Sequence, residues 1–341
     1  MADHTPSSSP SSLSNLIRLA PLQVSDLPAH PDLPGSSANL SALLTALLDE
    51  GASFLSPSTF SGNFKHHSTK PSPPSAARVE VLSHNVPANA IAQIQWTRSH
   101  PDNRGVSRSK PPKVDAEHWF ARRSLHRDIS SKSKETPGHA SWDEFVFGLR
   151  DEHSKHEMEF TPTLYDARPV ADWKGQIHKM EEEGKGGFKG YTSVSLGVYE
   201  MCHAIPPPLM PRCFCVLVAT ASTGKDEFVA VTVPVDFTGA GTDGESVGFY
   251  STGRNTREGE DAQRRKKVLM GLYTAVEVVR RDQEREEVEW IMATSSDAKG
   301  NLPMWLQKMS LPGAIAKDVG FFLSWIKDVD EGEAMANTRR G

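Results

Sequence analysis

Apolar residues recur at helical spacing near both ends of this chain and alternate with polar ones in between. Leu40, Leu43, Leu44, Leu47 and Leu48 fall on one face of a helix. Asn39 or Ser41 stands ready to cap it. Towards the other end Ile315, Val319, Phe322 and Ile326 follow at i, i+4, i+7 and i+11. Ala314, Phe321, Leu323 and Trp325 widen that stripe, while Lys317, Ser324, Lys327 and Asp328 face away. Pro312 suits the first turn of such a helix, so the helix is expected to begin there. Between these ends lie runs of β-branched and aromatic residues: His118 to Leu125, Tyr191 to Met201, Cys213 to Thr220, Phe228 to Phe237 and Ser246 to Ser251. Gly, Asp and Pro separate them, as they separate strands. Ser141-Trp142-Asp143-Glu144 reads as a capping box opening a short helix with Phe145 and Leu149. Val268 to Val279 fits both rhythms. Val268, Leu272, Val276 and Val279 are spaced for a helix, yet Thr274, Val276, Val278 and Val279 favour a strand. With the charged stretch 282–287 and Val288 to Thr294 behind it, a hairpin is expected.

The polar stretches set the boundaries. Residues 1–38 are rich in Ser and Pro and too poor in apolar groups to offset ordering entropy, so a disordered tail is expected. Proline-bearing stretches at 56–76 and 99–114 read as loops, and 329–341 as a frayed tail. A chain of 341 residues allows two domains at ~150 residues each. The patterning favours one, over 39–328, best supported over 115–328. The net charge of −5 argues against a nucleic-acid partner. Three cysteines cannot staple a scaffold and suit a reducing compartment. The longest apolar run, Phe214 to Ala221, falls far short of the ~20 residues of a spanning helix. The first thirty residues lack the layout of a signal peptide. A cytoplasmic protein is expected, and oligomeric state is left open.

Several short motifs look like chemistry and fail on context. Gly239-Ala240-Gly241-Thr242-Asp243-Gly244 matches the dinucleotide fingerprint, but a strand rather than a helix is expected after it. Ser222-Thr223-Gly224-Lys225 lacks the upstream glycine of a phosphate loop. His153, His156 and Glu157 are not in the order of a zinc-binding helix, and Cys213 and Cys215 fall short of a ligand set. Arg264-Arg265-Lys266-Lys267 follows three acidic residues and reads as a solvated loop. No G-x-S-x-G elbow occurs. No cofactor or metal is expected.

The stretch Asp297-Ala298-Lys299-Gly300-Asn301-Leu302-Pro303-Met304-Trp305, followed by the terminal helix, resembles the end of START lipid-binding domains. More closely, the chain resembles a fungal family of START-like proteins of unknown function. His118-Trp119, Arg123-Ser124 with His126, Ser141-Trp142 with Glu144-Phe145, His153 with Glu157, Val288 to Thr294, and Lys317-Asp318-Val319 with Trp325 carry that likeness over 115–328. It implies an α+β helix-grip fold: a curved antiparallel sheet wrapped around a long C-terminal helix, with a cavity between. The strand runs and single late helix are compatible.

That resemblance implies binding, and suggests transfer, of a hydrophobic small molecule such as a lipid or sterol in the internal cavity. Ile315, Val319, Phe322 and Ile326 on the helix, with Trp290 and Met292 on a strand, are the candidate apolar walls. The same stripe equally suits a solid core. His118, Arg122, Glu200 and His203 are the candidate polar lining. Leu209 and Met210 in the loop Pro206 to Pro211 could touch a membrane transiently. The alternative is a START-like cyclase, isomerase or hydrolase acting on an aromatic or polyketide-type substrate. Its acid or base would be His118, His203, Glu157 or Glu200.

Overall fold

In the computed structural model the described residues are 15–92, 114–184, 188–237, 248–251, 267–300 and 304–330. Ten of the described strands form one sheet, nine of them in the order β2-β3-β4-β10-β9-β8-β7-β6-β5. They are β2 (Lys65–Lys70), β3 (Val79–Val86), β4 (Glu117–Arg127), β5 (Leu164–Asp172), β6 (Thr192–His203), β7 (Arg212–Ser222), β8 (Glu227–Asp236), β9 (Leu269–Asp282) and β10 (Glu287–Asp297). Neighbours in that order pair antiparallel, and β7 also meets β9 in parallel beyond the end of their pairing with β8, Arg212 to Leu269 and Phe214 to Gly271. The hairpin reading of 268–294 is correct: Trp290 pairs with Val279, and Val288 with Arg281.

The central strands read as nearly continuous apolar runs because both faces of the sheet are covered. On one face lies α1 (Leu40–Phe54), capped by Asn39, whose side chain accepts from the Ala42 amide at 2.9 Å. Its Leu44, Leu47 and Leu48 bury against Leu217, Val229, Val231 and Val276. Gly51 permits that approach: a Cβ there would stand 2.4 Å from Val231 Cγ2. On the opposite face lie α4 (Trp142–Phe145), a π-helical turn at Val146–Arg150, α5 (His153–Phe160) and the C-terminal α7 (Met304–Ile326). Phe145, Phe322 and Trp290 stack between them, with centroids 5.1 to 5.7 Å apart. The fold is α+β: a curved antiparallel sheet gripping a long C-terminal helix.

Four expectations need correction. Residues 15–38 are part of the fold. A short strand, β1 (Leu22–Gln23), pairs in parallel with Val235 and Asp236 of β8, and Ile17, Leu22, Leu27 and Leu33 are fully buried. Arg18 fixes this strap to β4 through Glu117, 3.7 Å away, whose carboxylate also accepts from the Leu19 amide. The 56–76 stretch is mostly structured, holding α2 (Pro57–Asn63) and β2. The helix α7 starts well ahead of Pro312, which lies inside it. That proline removes one backbone hydrogen bond from a helix that tertiary packing otherwise holds. Among the elements with no sequence counterpart are β3, the edge strand β5 and α6 (Lys174–Glu182) behind it; α3 (Ala88–Ala92) is a single short turn. The expected strand at 246–251 is a turn over the described 248–251. The 99–113 part of the second loop, the 239–244 glycine motif, residues 264–266 of the basic run, residues 1–14 and the tail from 331 lie outside the described residues.

Candidate functional site

Between the sheet and α7 the packing is incomplete. A cavity of about 230 Å³ opens under the middle of the helix, walled by α5, β6, β7, β8, β9, β10 and α7. Strand alternation decides which residues face it. On β6, Met201 and His203 point in while Glu200 and Cys202 point out; on β7, Phe214, Val216 and Val218 point in. Leu311, Ala314 and Ile315 of α7 and Met292 of β10 complete an apolar wall. Met210, Met270 and Met309 are exposed, and the Leu269 amide ties the start of β9 to the start of β7 by donating to Pro211 O at 2.9 Å.

The inner end is polar. A chamber of about 50 Å³ continues the cavity and shares Glu157, Thr161, Thr232, Tyr273, Met292 and Asp318 with it. Arg122, Glu277 and His153 line only this inner part. Arg122, on β4, is 1% exposed, with its guanidinium 3.7 Å from the centroid of the Trp290 ring. Its Nη2 donates to Glu277 Oε1 at 3.2 Å. Its neighbour Arg123 points outward to Glu289 and Glu80. His153 donates from Nδ1 to Leu149 O at 2.6 Å, so the other ring nitrogen is left for the chamber.

Glu157, Tyr273 and Asp318 each expose some surface, but that surface belongs to the cavity wall. Burial in that wall disfavours their charged forms. Burial lifts the Asp318 carboxyl to about 7, against the pull of Arg122, with Glu157 and Glu277 adding repulsion. Burial likewise raises Glu157, opposed by His153 and Arg122, and raises the Tyr273 phenol. At the outer end burial pushes His203 down to about 4, so its ring is neutral at physiological pH.

The residues singled out from sequence divide by place. Ile315, Met292 and His203 line the cavity and Arg122 its inner chamber. Val319, Phe322, Ile326 and Trp290 are buried in the solid core beside it. His118 sits near the start of β4, opposite Asn85, outside the cavity wall. Glu200 faces the other side of the sheet, where its carboxylate accepts from the amides of Phe249, Tyr250 and Ser251 at 2.7 to 3.1 Å. Asp318, Tyr273, Glu277 and Thr232 had not been singled out as site residues. A signal existed for two of them. Asp318 shares the Leu311, Ile315, Phe322 face, and Glu277 is the lone acid among the valines of β9.

The family described as a protein of unknown function, DUF3074, matches residues 119–326. The chain belongs to the DUF3074 family. This span starts in β4 and ends with α7, so it takes in every element lining the cavity and leaves out the N-terminal strap. No curated protein matches the chain. Among solved structures it is similar to human StAR-related lipid transfer protein 5 at 9% identity and TM-score 0.43, covering 88% of this chain and 98% of that one. It is also similar to human STARD10 at 12% identity and TM-score 0.41, covering 79% and 80%. The lipid transfer and protein localization domain of human StarD13 gives 10% identity and TM-score 0.40, covering 78% and 91%. The fold of this DUF3074 member rests on its own strand order and buried helix. No helix among the described residues is long and apolar enough to cross a membrane.

Proposed function

We propose that this protein binds a small hydrophobic molecule in the cavity under α7 and carries it through the aqueous phase. The observation that supports this is the unfilled space between sheet and helix, apolar along its walls and polar at one end. Apolar carbon moved from water onto Met201, Phe214, Val216 and Ile315 gains ~25 cal/mol per Å² buried. At about 230 Å³ the space lies just below the ~300–1,000 Å³ of drug-sized sites, which favours a compact ligand over a two-chain lipid. Exposed Met210, in the loop between β6 and β7, and exposed Met309 of α7 are candidates for brief contact with a membrane where cargo is exchanged. The site needs no cofactor for this role, and a cytoplasmic location agrees with three buried free cysteines.

A second reading is favoured by one observation. Asp318, held near pH 7 beside Glu157, is poised to give and take a proton. In that reading the protein is an isomerase, cyclase or hydrolase of a hydrophobic substrate, with Asp318 or Glu157 as acid or base.

Solvent extraction of the purified full-length protein, followed by mass spectrometry, tests the carrier reading. One apolar compound should be recovered in near-stoichiometric amount and chemically unchanged on re-addition. Recovery of nothing from several expression hosts would count against it, and conversion of the compound on re-addition would favour the enzyme.

A further inference from the structure

Two helices bring acids together on the cavity wall. Glu157 of α5 and Asp318 of α7 each line both the main cavity and its inner chamber. Among the described residues neither side chain has a hydrogen-bond or ion-pair partner. A third acid, Glu277 of β9, lines the chamber and is paired at 3.2 Å with Arg122 of β4, the one fixed cation among the lining residues. His153 of α5, Tyr273 of β9 and His203 of β6 are the other titratable groups on these walls. Burial keeps His203 and the Tyr273 phenol uncharged near pH 7. The strands β7, β8 and β10 contribute only apolar and hydroxyl side chains. With all three acids ionised, one guanidinium would leave most of their charge uncompensated.

The exposed surface of Glu157 and Asp318 lies on the cavity wall, where an occupant sits. An apolar body there takes that surface from water and brings no counter-charge. Desolvation penalises an ionised carboxylate and leaves the protonated acid nearly untouched. We propose that cargo binding is proton-coupled: the cavity takes up an apolar molecule together with a proton held by Glu157 and Asp318, and grips its cargo more tightly in mildly acidic than in mildly alkaline surroundings. The proton comes from solvent and returns to it on release. This rests on the carrier reading and names its regulation. Burial has already lifted Asp318 to about 7 and raised Glu157, so loading acts on groups that respond near neutral pH. A carboxyl whose proton affinity rises on loading gives cargo affinity that is full below its free value and falls as pH climbs above it. The sign is diagnostic. A histidine covered by cargo, His153 or His203, would favour its neutral form, release a proton and bind more tightly as pH rises.

Calorimetric titration of the delipidated full-length protein with 1-octanol, which does not titrate in this range, tests it. At pH ~7.5 the binding heat is compared in phosphate and in Tris, whose ionisation heats differ, and the difference counts the protons exchanged. An uptake of about 0.3–0.5 proton per octanol is expected, with affinity about fourfold lower at pH ~8.5 than at pH ~6.5. Asp318→Asn and Glu157→Gln, each checked by melting, should cut the uptake at least about twofold and flatten the pH dependence. Two variants are used so that one misfolding leaves the other to decide. No proton exchange on binding, or proton release, overturns the inference and leaves the carrier reading standing. Uptake unchanged in every variant that folds also overturns it. Failure of octanol to bind at either pH overturns the carrier reading itself.

Discussion

Asp318 links the cavity to the stability of the protein. In the native state its carboxyl keeps a proton up to about pH 7, because burial penalises the charge. In the unfolded chain it gives that proton up near ~4. Between those values the native state binds the extra proton, so this group's contribution to stability falls as pH rises from ~4 to about 7 and is flat above. Asp318→Asn removes the titration. The variant should lose that part of the decline in melting temperature between pH 4.5 and 7.5 and melt above the parent at pH 8. Parallel melting profiles for the two proteins would show that Asp318 is not held neutral. Periodicity puts Asp318 on the face of Leu311, Ile315 and Phe322 but says nothing of a cavity there. A stripe argument assigns polar positions to solvent, and Asp318 points inward only because the cavity offers its carboxyl an interior surface. The same argument treats Ile315 and Phe322 alike, although one borders empty space and the other stacks 5.1 Å from Phe145 in a solid core.

At the scale of elements, α7 is held by packing more than by propensity. Its contact with the turn between β2 and β3 is unusually close at Gly320. The Gly320 amide donates to Ser72 Oγ at 2.9 Å, and a Cβ there would stand 2.4 Å from Pro73 O and 2.9 Å from Ser72 O. Backbone on both sides leaves little room to give, so Gly320→Ala should cost ~1–3 kcal/mol. Urea unfolding reads this directly, and a change under ~0.5 kcal/mol, the ordinary surface value, would show that helix and turn separate freely. The helix face, the hairpin and the capping box were legible because each carries a local pattern. The Ser141 hydroxyl and Glu144 carboxylate exchange the expected bonds, and Glu144 also accepts from Ser131. The strand β5 was not legible. It is an edge strand with two register shifts, and Asp166, Arg168 and Pro169 interrupt its alternation.

At the scale of the molecule, two layers of helix and strap enclose one sheet, and only the α7 side contains the cavity. The strap of residues 15–38 escaped sequence reading for a physical reason. Ile17, Leu22, Val24, Leu27 and Leu33 are buried one at a time by irregular chain, with no period of helix or strand. Composition counts such a segment as disordered, yet each side chain finds a place on the face shared with α1. The central claim is that the space under α7 is a binding site and not a packing defect. The most direct measurement is calorimetric titration of the delipidated protein with 1-octanol, beside the same titration of Ile315→Trp, whose indole fills the cavity from its helical wall. The account predicts saturable one-to-one binding with a negative heat-capacity change in the parent. It predicts affinity at least about tenfold weaker in a variant that still melts cooperatively. Equal binding by both proteins, or no saturable binding by the parent, would contradict it.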